Sequence, residues 1–130
     1  MGRAMELMRD AKTIAVVGVS SNPTRPSNEV ALYLQEHGFT VYMVNPRETE
    51  VLGQPAYGSV KELPEPVDIV DIFRRSPDVP PVVDDAIAAG AKAVWMQLDI
   101  VHEDAATKAR AAGLEVVMDK CTKIEHRNLP

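Results

Sequence analysis

One sequence pattern, which occurs three times, constrains the fold of this chain most strongly. In each occurrence a helical stretch ends at a glycine, one residue follows, and a short apolar run rich in β-branched or aromatic residues begins. Glycine is favoured at the left-handed position that ends a helix, and short apolar runs are typical of strands buried on both faces of a parallel sheet. The pattern therefore predicts alternating helices and parallel strands, with glycines at Gly38, Gly90 and Gly113 and strands at Thr40–Val44, Ala93–Met96 and Glu115–Met118.

Two more apolar runs, Thr13–Val19 and Val67–Phe73, complete a set of five predicted strands. Helices are predicted between them and at the start of the chain, over residues 1–11, Glu29–His37, Val79–Ala89 and Glu103–Ala112, with residues 119–130 as a C-terminal tail. The spacing of Ser59 and Glu62 is that of a capping box and predicts a short helix over Ser59–Leu63. This alternation predicts one α/β domain over residues 1–130, a Rossmann-like three-layer sandwich with a five-stranded parallel sheet in the order 3-2-1-4-5.

The charge balance and the apolar runs argue against two classes of partner. The net charge is −5, whereas nucleic-acid-binding proteins usually present a basic face. No apolar run approaches the length needed to cross a bilayer. One cysteine, Cys121, cannot form an internal disulfide, and no secretory signal is visible, so a cytoplasmic protein with neither nucleic-acid nor membrane partners is expected.

The first predicted strand leads into a polar loop, Gly18–Ser27, which precedes a helix. A strand–loop–helix junction of this kind offers backbone N–H groups and a helix dipole to a phosphate. The loop keeps only the first glycine of the dinucleotide fingerprint G-x-G-x-x-G, and has hydroxyls, one amide and Arg25 instead. It is therefore interpreted as an anion site, the alternative being a polar connection in which Ser27 caps the helix and Arg25 is solvated.

The second predicted strand is followed by Asn45, Pro46 and Arg47. The acidic residue that holds the ribose of NAD near this point is absent, and Glu48 and Glu50 are assigned to the turn beyond. An arginine here suits a phosphorylated ribose, as in NADP or the 3′-phosphate of coenzyme A. An Asn-Pro turn with an exposed arginine is the alternative.

Two arginines, Arg74 and Arg75, follow the third predicted strand beside the start of a helix. Arg74 is interpreted as an anion ligand, whereas Arg75 is expected to pair with a surface acid. Gln97 follows the fourth strand and could recognise a nucleotide or amide edge. Together the loops are expected to place Arg25, Arg47 and Arg74 around one crevice.

The segment after the last strand holds Asp119, Cys121, Glu125 and His126. A cysteine and a histidine can form a nucleophile and its base, but sequence spacing alone does not establish this geometry. A partly buried thiol at Cys121 is the preferred interpretation, and a redox role with a coenzyme A disulfide stays open. The single cysteine and the dispersed histidines lack the spacing of a structural zinc site, so no catalytic and no metal-binding residue is predicted.

Across residues 12–126 the chain resembles the small stand-alone coenzyme A-binding proteins, which are related to the N-terminal domain of the succinyl-CoA synthetase α subunit. The resemblance rests on the combination of TIAVVGVSSNPTRPS, YMVNPR, LGQPAYGSVKELPEPVDIVDIFR, GAKAVWMQ and AGLEVVMDKCTKIEH. The chain departs from that α subunit in lacking the T-G-x-x-G form of the first loop and in ending before a second domain. Acyl-CoA ligase chemistry is therefore not expected of this chain alone.

The resemblance implies a role for each crevice segment. The turn Gly18-Val19-Ser20 and the segment Arg25-Pro26-Ser27 would hold the phosphates of the coenzyme, and Asn45-Pro46-Arg47 would border its 3′-phosphate. Phe73 and Arg74 would flank the adenine or the pantetheine arm, and Gln97 would lie near the crevice floor.

The resulting interpretation is a binding, carrier or sensor module for coenzyme A or an acyl-CoA. An NADP-dependent oxidoreductase is the first alternative, although the missing glycines and the lack of a hydride-transfer site count against it. A subunit that needs an ATP-grasp ligase partner is the second, and a homodimer also stays open.

Overall fold

A seven-stranded sheet runs through the centre of the protein, whose computed structural model describes residues 1–130. Its order is β3-β4-β2-β1-β5-β6-β7. Neighbouring strands are parallel except for the antiparallel pair β3 and β4. The strands are β1 (Thr13–Val17), β2 (Thr40–Val44), β3 (Glu50–Val51), β4 (Gln54–Tyr57), β5 (Ile69–Ile72), β6 (Ala93–Met96) and β7 (Glu115–Val117).

The prediction of five strands in the order 3-2-1-4-5 was wrong in both respects. The five predicted strands form as β1, β2, β5, β6 and β7, but the third of them, β5, pairs with β1 and not with β2. The place beside β2 belongs to β4, which enters through a hairpin with β3. Leu52 and Gly53 form the hairpin turn, with φ angles of 52° and 76°, and such a turn favours glycine.

Five helices cover the two faces of the sheet, α1, α2 and α5 on one face and α3 and α4 on the other. Side chains alternate along each strand, so β1 contributes Ile14 and Val16 to the first apolar layer and Ala15 and Val17 to the second. The structure confirms the Rossmann-like three-layer arrangement. The helices are α1 (Arg3–Asp10), α2 (Pro26–Glu36), α3 (Val79–Ala88), α4 (Glu103–Ala111) and α5 (Thr122–Arg127).

Helix ends differ from the predicted ones for local reasons. Helix α2 begins at Pro26, whose fixed φ and missing N–H suit the first turn, and its N-cap is Arg25 rather than Ser27. The predicted capping box was wrong, because Ser59 makes no capping hydrogen bond and only one 3₁₀ turn, Val60–Glu62, follows it. The predicted tail contains α5, and no helix is long and apolar enough to span a membrane.

Candidate ligand crevice at the carboxyl ends of the strands

The sheet order reverses between β1 and β5, because the chain moves outward in one direction through β2 and in the other through β6. Ligands of open parallel sheets bind outside the strand ends at such a point. Here two adjoining depressions of about 450 and 600 Å³ share Phe73, Arg74 and Arg75. We call them the carboxyl-end crevice; its other lining residues are Gly18, Ser20, Arg25, Pro26, Ser27 and Ile100 in the first part and Pro46, Arg47 and Asp78 in the second.

Gly18 allows the first loop to leave β1 in close contact with the third loop. Its φ is +85°, and a Cβ built there would lie 2.2 Å from the carbonyl oxygen of Phe73. Its N–H donates to the carbonyl of Val44 at 2.8 Å. A glycine at this position therefore lets the loops after β1, β2 and β5 meet without a side chain between them.

The first loop is closed against the start of α2. The N–H of Ser20 donates to Ser27 Oγ at 3.0 Å, and Asn28 Nδ2 donates to the carbonyl of Ser20 at 2.9 Å. Ser27 therefore folds the loop onto the helix rather than capping it. The positive end of the α2 dipole faces the crevice beside Arg25, which favours an anion there.

Asn45 joins the first and second loops from below the crevice. Asn45 is 9% exposed, and its Nδ2 donates to the carbonyl of Val19 at 2.9 Å while its Oδ1 accepts from the N–H of Arg47 at 3.0 Å. Val19 is itself fully buried. Neither side chain lines the crevice, so Asn45 and Val19 shape the site behind Arg47, which lies exposed at the rim.

The crevice carries four arginines and one acid, Asp78. Arg75 pairs with Asp78 at 3.5 Å, which confirms the expectation of a surface acid for Arg75, yet Arg75 also lines both depressions. Arg25, Arg47 and Arg74 belong to none of the ion pairs of the chain. The result is a local positive field on a chain whose net charge is −5.

Gln97 does not line the crevice, contrary to the role assigned to it from sequence. It is 3% exposed, and its Nε2 donates to Asp71 Oδ2 at 3.1 Å and to Thr122 Oγ1 at 3.0 Å. Thr122 Oγ1 also donates to Asp71 Oδ2 at 2.9 Å, whereas Asp71 Oδ1 has no partner. Burial raises the pKa of Asp71 to about 7, against the opposing effect of these hydrogen bonds.

The side chains of Asp119, Cys121, Glu125 and His126 make no hydrogen bond with one another. Asp119 accepts from the N–H of Asp99 at 2.7 Å, and Cys121 is a buried free thiol. His126 Nδ1 lies 2.8 Å from the hydroxyl of Tyr33, and burial, followed by the nearby His37, lowers the pKa of His126. No group of three or more His, Cys, Asp or Glu side chains is arranged to hold a metal ion.

Sequence reasoning missed three crevice residues, Arg75, Asp78 and Ile100, as lining groups. For Arg75 the signal was its position beside Arg74 at a strand end. Ile100 gave no signal, because the three residues between β6 and Ile100 place it in the crevice only through the fold of that loop, in which the N–H of Ile100 donates to the carbonyl of Gln97.

Comparison with known proteins agrees with this architecture. A family profile described as "CoA binding domain" matches residues 12–127. An uncharacterised Bacillus subtilis protein, YneT, is 39% identical over 121 residues, which are 93% of this chain and 90% of YneT. A hypothetical protein from Pyrococcus horikoshii has a solved structure with a TM-score of 0.94 and 41% identity, over 97% of this chain and 89% of that one.

One more relative belongs to a much larger enzyme. An ADP-forming acetate–CoA ligase of Archaeoglobus fulgidus is 30% identical in an alignment of 127 residues that covers 90% of this chain but 18% of the ligase. The fold and the crevice define a Rossmann-like α/β protein with a cationic site at the switch point of its sheet. Within that class, the chain belongs to the CoA-binding domain family.

Proposed function

We propose that this protein binds coenzyme A or an acyl-CoA in the carboxyl-end crevice and acts as a binding, carrier or sensor module. The observation that carries the proposal is the convergence of Arg25, Arg47 and Arg74 on one crevice beside the N-terminus of α2. Coenzyme A carries a diphosphate and a separate 3′-phosphate, so it needs cations at more than one place. Guanidinium groups are well suited to phosphate because they donate two parallel hydrogen bonds.

Each part of the crevice suits one part of the coenzyme. Gly18, Ser20 and Ser27 with Arg25 would take the diphosphate at the start of α2. Arg47 and Pro46 would border the 3′-phosphate in the second depression. Phe73 and Arg74 lie between the two depressions, where an aromatic ring and a guanidinium can flank the adenine or the pantetheine arm.

An NADP-dependent oxidoreductase is a weaker candidate for the same crevice. Arg47 would suit a 2′-phosphate as well as a 3′-phosphate. However, the first loop has Ser20 and Pro23 where the dinucleotide fingerprint has its second and third glycines, so the backbone does not offer the close approach that a dinucleotide diphosphate uses.

The likeness to an ADP-forming acetate–CoA ligase supports a further candidate, a subunit that works with an ATP-grasp partner. In that case the crevice would hold the coenzyme while the partner supplies the acyl-activating chemistry. Co-purification of an ATP-grasp protein with the full chain would support this candidate, and purification without one would count against it.

Calorimetric titration with coenzyme A, dephospho-coenzyme A, NADP and NAD tests the proposal directly. Coenzyme A is expected to bind most tightly, and loss of the 3′-phosphate is expected to weaken binding because the charge opposite Arg47 is removed. Tighter binding of NADP would favour the oxidoreductase. Absence of binding to all four ligands would contradict the proposal for the chain on its own.

Replacing Arg25 with alanine is expected to weaken coenzyme A binding by about 1.5–3 kcal/mol, the range for a hydrogen bond to a charged group. Arg25 lines the crevice and belongs to no ion pair, so it has no partner carboxylate to lose. Arg110→Ala is the matched control, since Arg110 is exposed on α4 and lines neither depression. Equal affinities for the two variants by titration would remove Arg25 from the site.

A further inference from the structure

A carboxylate of the second loop occupies the donors at the tip of the first loop. Glu48 Oε2 accepts from the N–H of Ser21 at 2.5 Å, and Glu48 Oε1 accepts from the Ser21 hydroxyl at 3.2 Å. One anionic group thus holds a backbone N–H and a side-chain hydroxyl of the same residue. Phosphate oxygens are bound by the same combination of donors.

Between Ser20 and Arg25, the other backbone N–H groups of this loop already have partners. Pro23 has no N–H, and the remaining groups donate at 3.0 Å to acceptors of the same loop or of the first turn of α2. These donors are Ser20, Asn22, Thr24 and Arg25, with Ser27 Oγ, Ser20 Oγ, Asn22 Oδ1 and the Asn22 carbonyl as their acceptors. Ser21 therefore supplies the one backbone donor between Ser20 and Arg25 that the loop does not satisfy itself.

The position of Glu48 is fixed by the turn that also presents Arg47. The N–H of Glu48 donates to the carbonyl of Asn45 at 3.1 Å, with Pro46 at the second position of the turn, where its φ is favoured. Glu48 is half-buried against the first loop, while Arg47 is exposed at the crevice. A single turn thus places one cation at the crevice and one anion on the neighbouring donors.

We propose that Glu48 is a specificity-determining residue, an internal anion that occupies the Ser21 donors until a phosphate of the ligand displaces it. This inference rests on the proposed function, because it takes the crevice to receive a polyphosphate. A ligand with one weak anionic group gains no free energy when it replaces Glu48 at the Ser21 donors. A ligand whose separate phosphates also reach the crevice arginines does gain free energy, so Glu48 favours coenzyme A over a small anion such as pyrophosphate.

Inorganic pyrophosphate and coenzyme A are the probes, and Glu48→Gln is the variant. A neutral amide holds the Ser21 donors less strongly than a carboxylate and repels phosphate less. We expect E48Q to bind pyrophosphate about three- to tenfold more tightly than wild type, a change of the size expected for one exposed charge. The gain for coenzyme A is expected to be smaller, because its other contacts already offset the displacement of Glu48.

Glu50→Gln is the matched control. It removes the same charge two residues away, from an exposed strand position with no side-chain hydrogen bond or ion pair. E50Q is expected to change pyrophosphate affinity less than twofold. Equal gains in pyrophosphate affinity for E48Q and E50Q would overturn the inference, because they would reflect only the loss of a negative charge. Weaker pyrophosphate binding by E48Q would also overturn it, because Glu48 would then be a residue that the ligand needs.

The amide proton of Ser21 reports the contact between Glu48 and Ser21 by NMR in the absence of any ligand. Its chemical shift is expected to move upfield in E48Q and to stay in place in E50Q; an unchanged shift in E48Q overturns the inference. Failure of the proposed function gives a different result. If neither wild type nor the variants bind coenzyme A while E48Q binds pyrophosphate more tightly than wild type, the proposed ligand is wrong and the role of Glu48 stands.

Discussion

Asp71→Asn is expected to remove a contribution of Asp71 that lowers the stability of the protein as the pH rises from about 4 to about 7. The Asp71 side chain is fully buried at the carboxyl end of β5, and its Oδ1 has no partner. Burial raises its pKa from 3.8 to about 7. The folded chain therefore holds a proton on Asp71 that the unfolded chain has lost, which favours the folded state only on the acid side.

The proton that only the folded chain holds determines the sign and the size of this pH dependence of stability. Between the two pKa values the folded chain binds more protons, so the contribution of Asp71 to the free energy of unfolding decreases by about 1.4 kcal/mol for each pH unit and is constant above pH 7. Because the amide of D71N does not titrate, the variant should gain on the order of 4 kcal/mol relative to wild type between pH 4 and pH 8.

Chemical denaturation of both chains across this pH range measures that difference. His126, whose pKa is lowered by burial, also contributes to the pH dependence, but it is common to both chains and cancels in the comparison. Thr122→Val provides a second variant. The Thr122 hydroxyl donates to Asp71 and favours its ionised form. Loss of this hydroxyl should therefore raise the pKa of Asp71 and extend the decrease in stability to higher pH. Parallel stability curves for wild type and D71N would contradict the assignment.

The central strands were predictable because their residues carry a strong local signal. β1, β2, β5, β6 and β7 are apolar runs, and three of them follow a glycine that ends a helix. The β3–β4 hairpin lacks that signal. Glu50 and Gln54 are polar and exposed, Pro55 cannot donate to the sheet, and β4 pairs with β2 at only two positions. The hairpin forms because β4 pairs with the edge of β2, and local sequence patterns do not show which strands pair with each other.

The crevice was predictable despite the wrong sheet order. Arg25, Arg47 and Arg74 follow three strands that lie side by side, and the carboxyl ends of parallel strands meet at one edge in either order. The assignment of Gln97 failed for a different reason. Its amide is held by Asp71 and Thr122, which are distant in the sequence, and only the fold places Thr122 over the end of β6.

Gly18→Ala is expected to lower the free energy of unfolding by about 2–5 kcal/mol. A left-handed backbone conformation costs an alanine about 1–2 kcal/mol, and the forced contact adds about 1–3 kcal/mol. The contact is with backbone, since the new Cβ would lie 2.2 Å from the carbonyl oxygen of Phe73. Backbone cannot move aside as a flexible side chain can, so the loops after β1 and β5 must separate.

Gly38→Ala isolates the first of these costs, that of the left-handed backbone. Gly38 has a φ of +88°, close to the +85° of Gly18, but a Cβ there would meet no atom within 4 Å. G38A should therefore show the conformational cost alone, and the difference between the variants in denaturant unfolding reports the collision with Phe73. Because Gly18 and Phe73 both line the crevice, G18A should also weaken coenzyme A binding while G38A leaves it unchanged. Equal losses of stability in the two variants would show that the loops after β1 and β5 are not in the close contact that shapes the crevice.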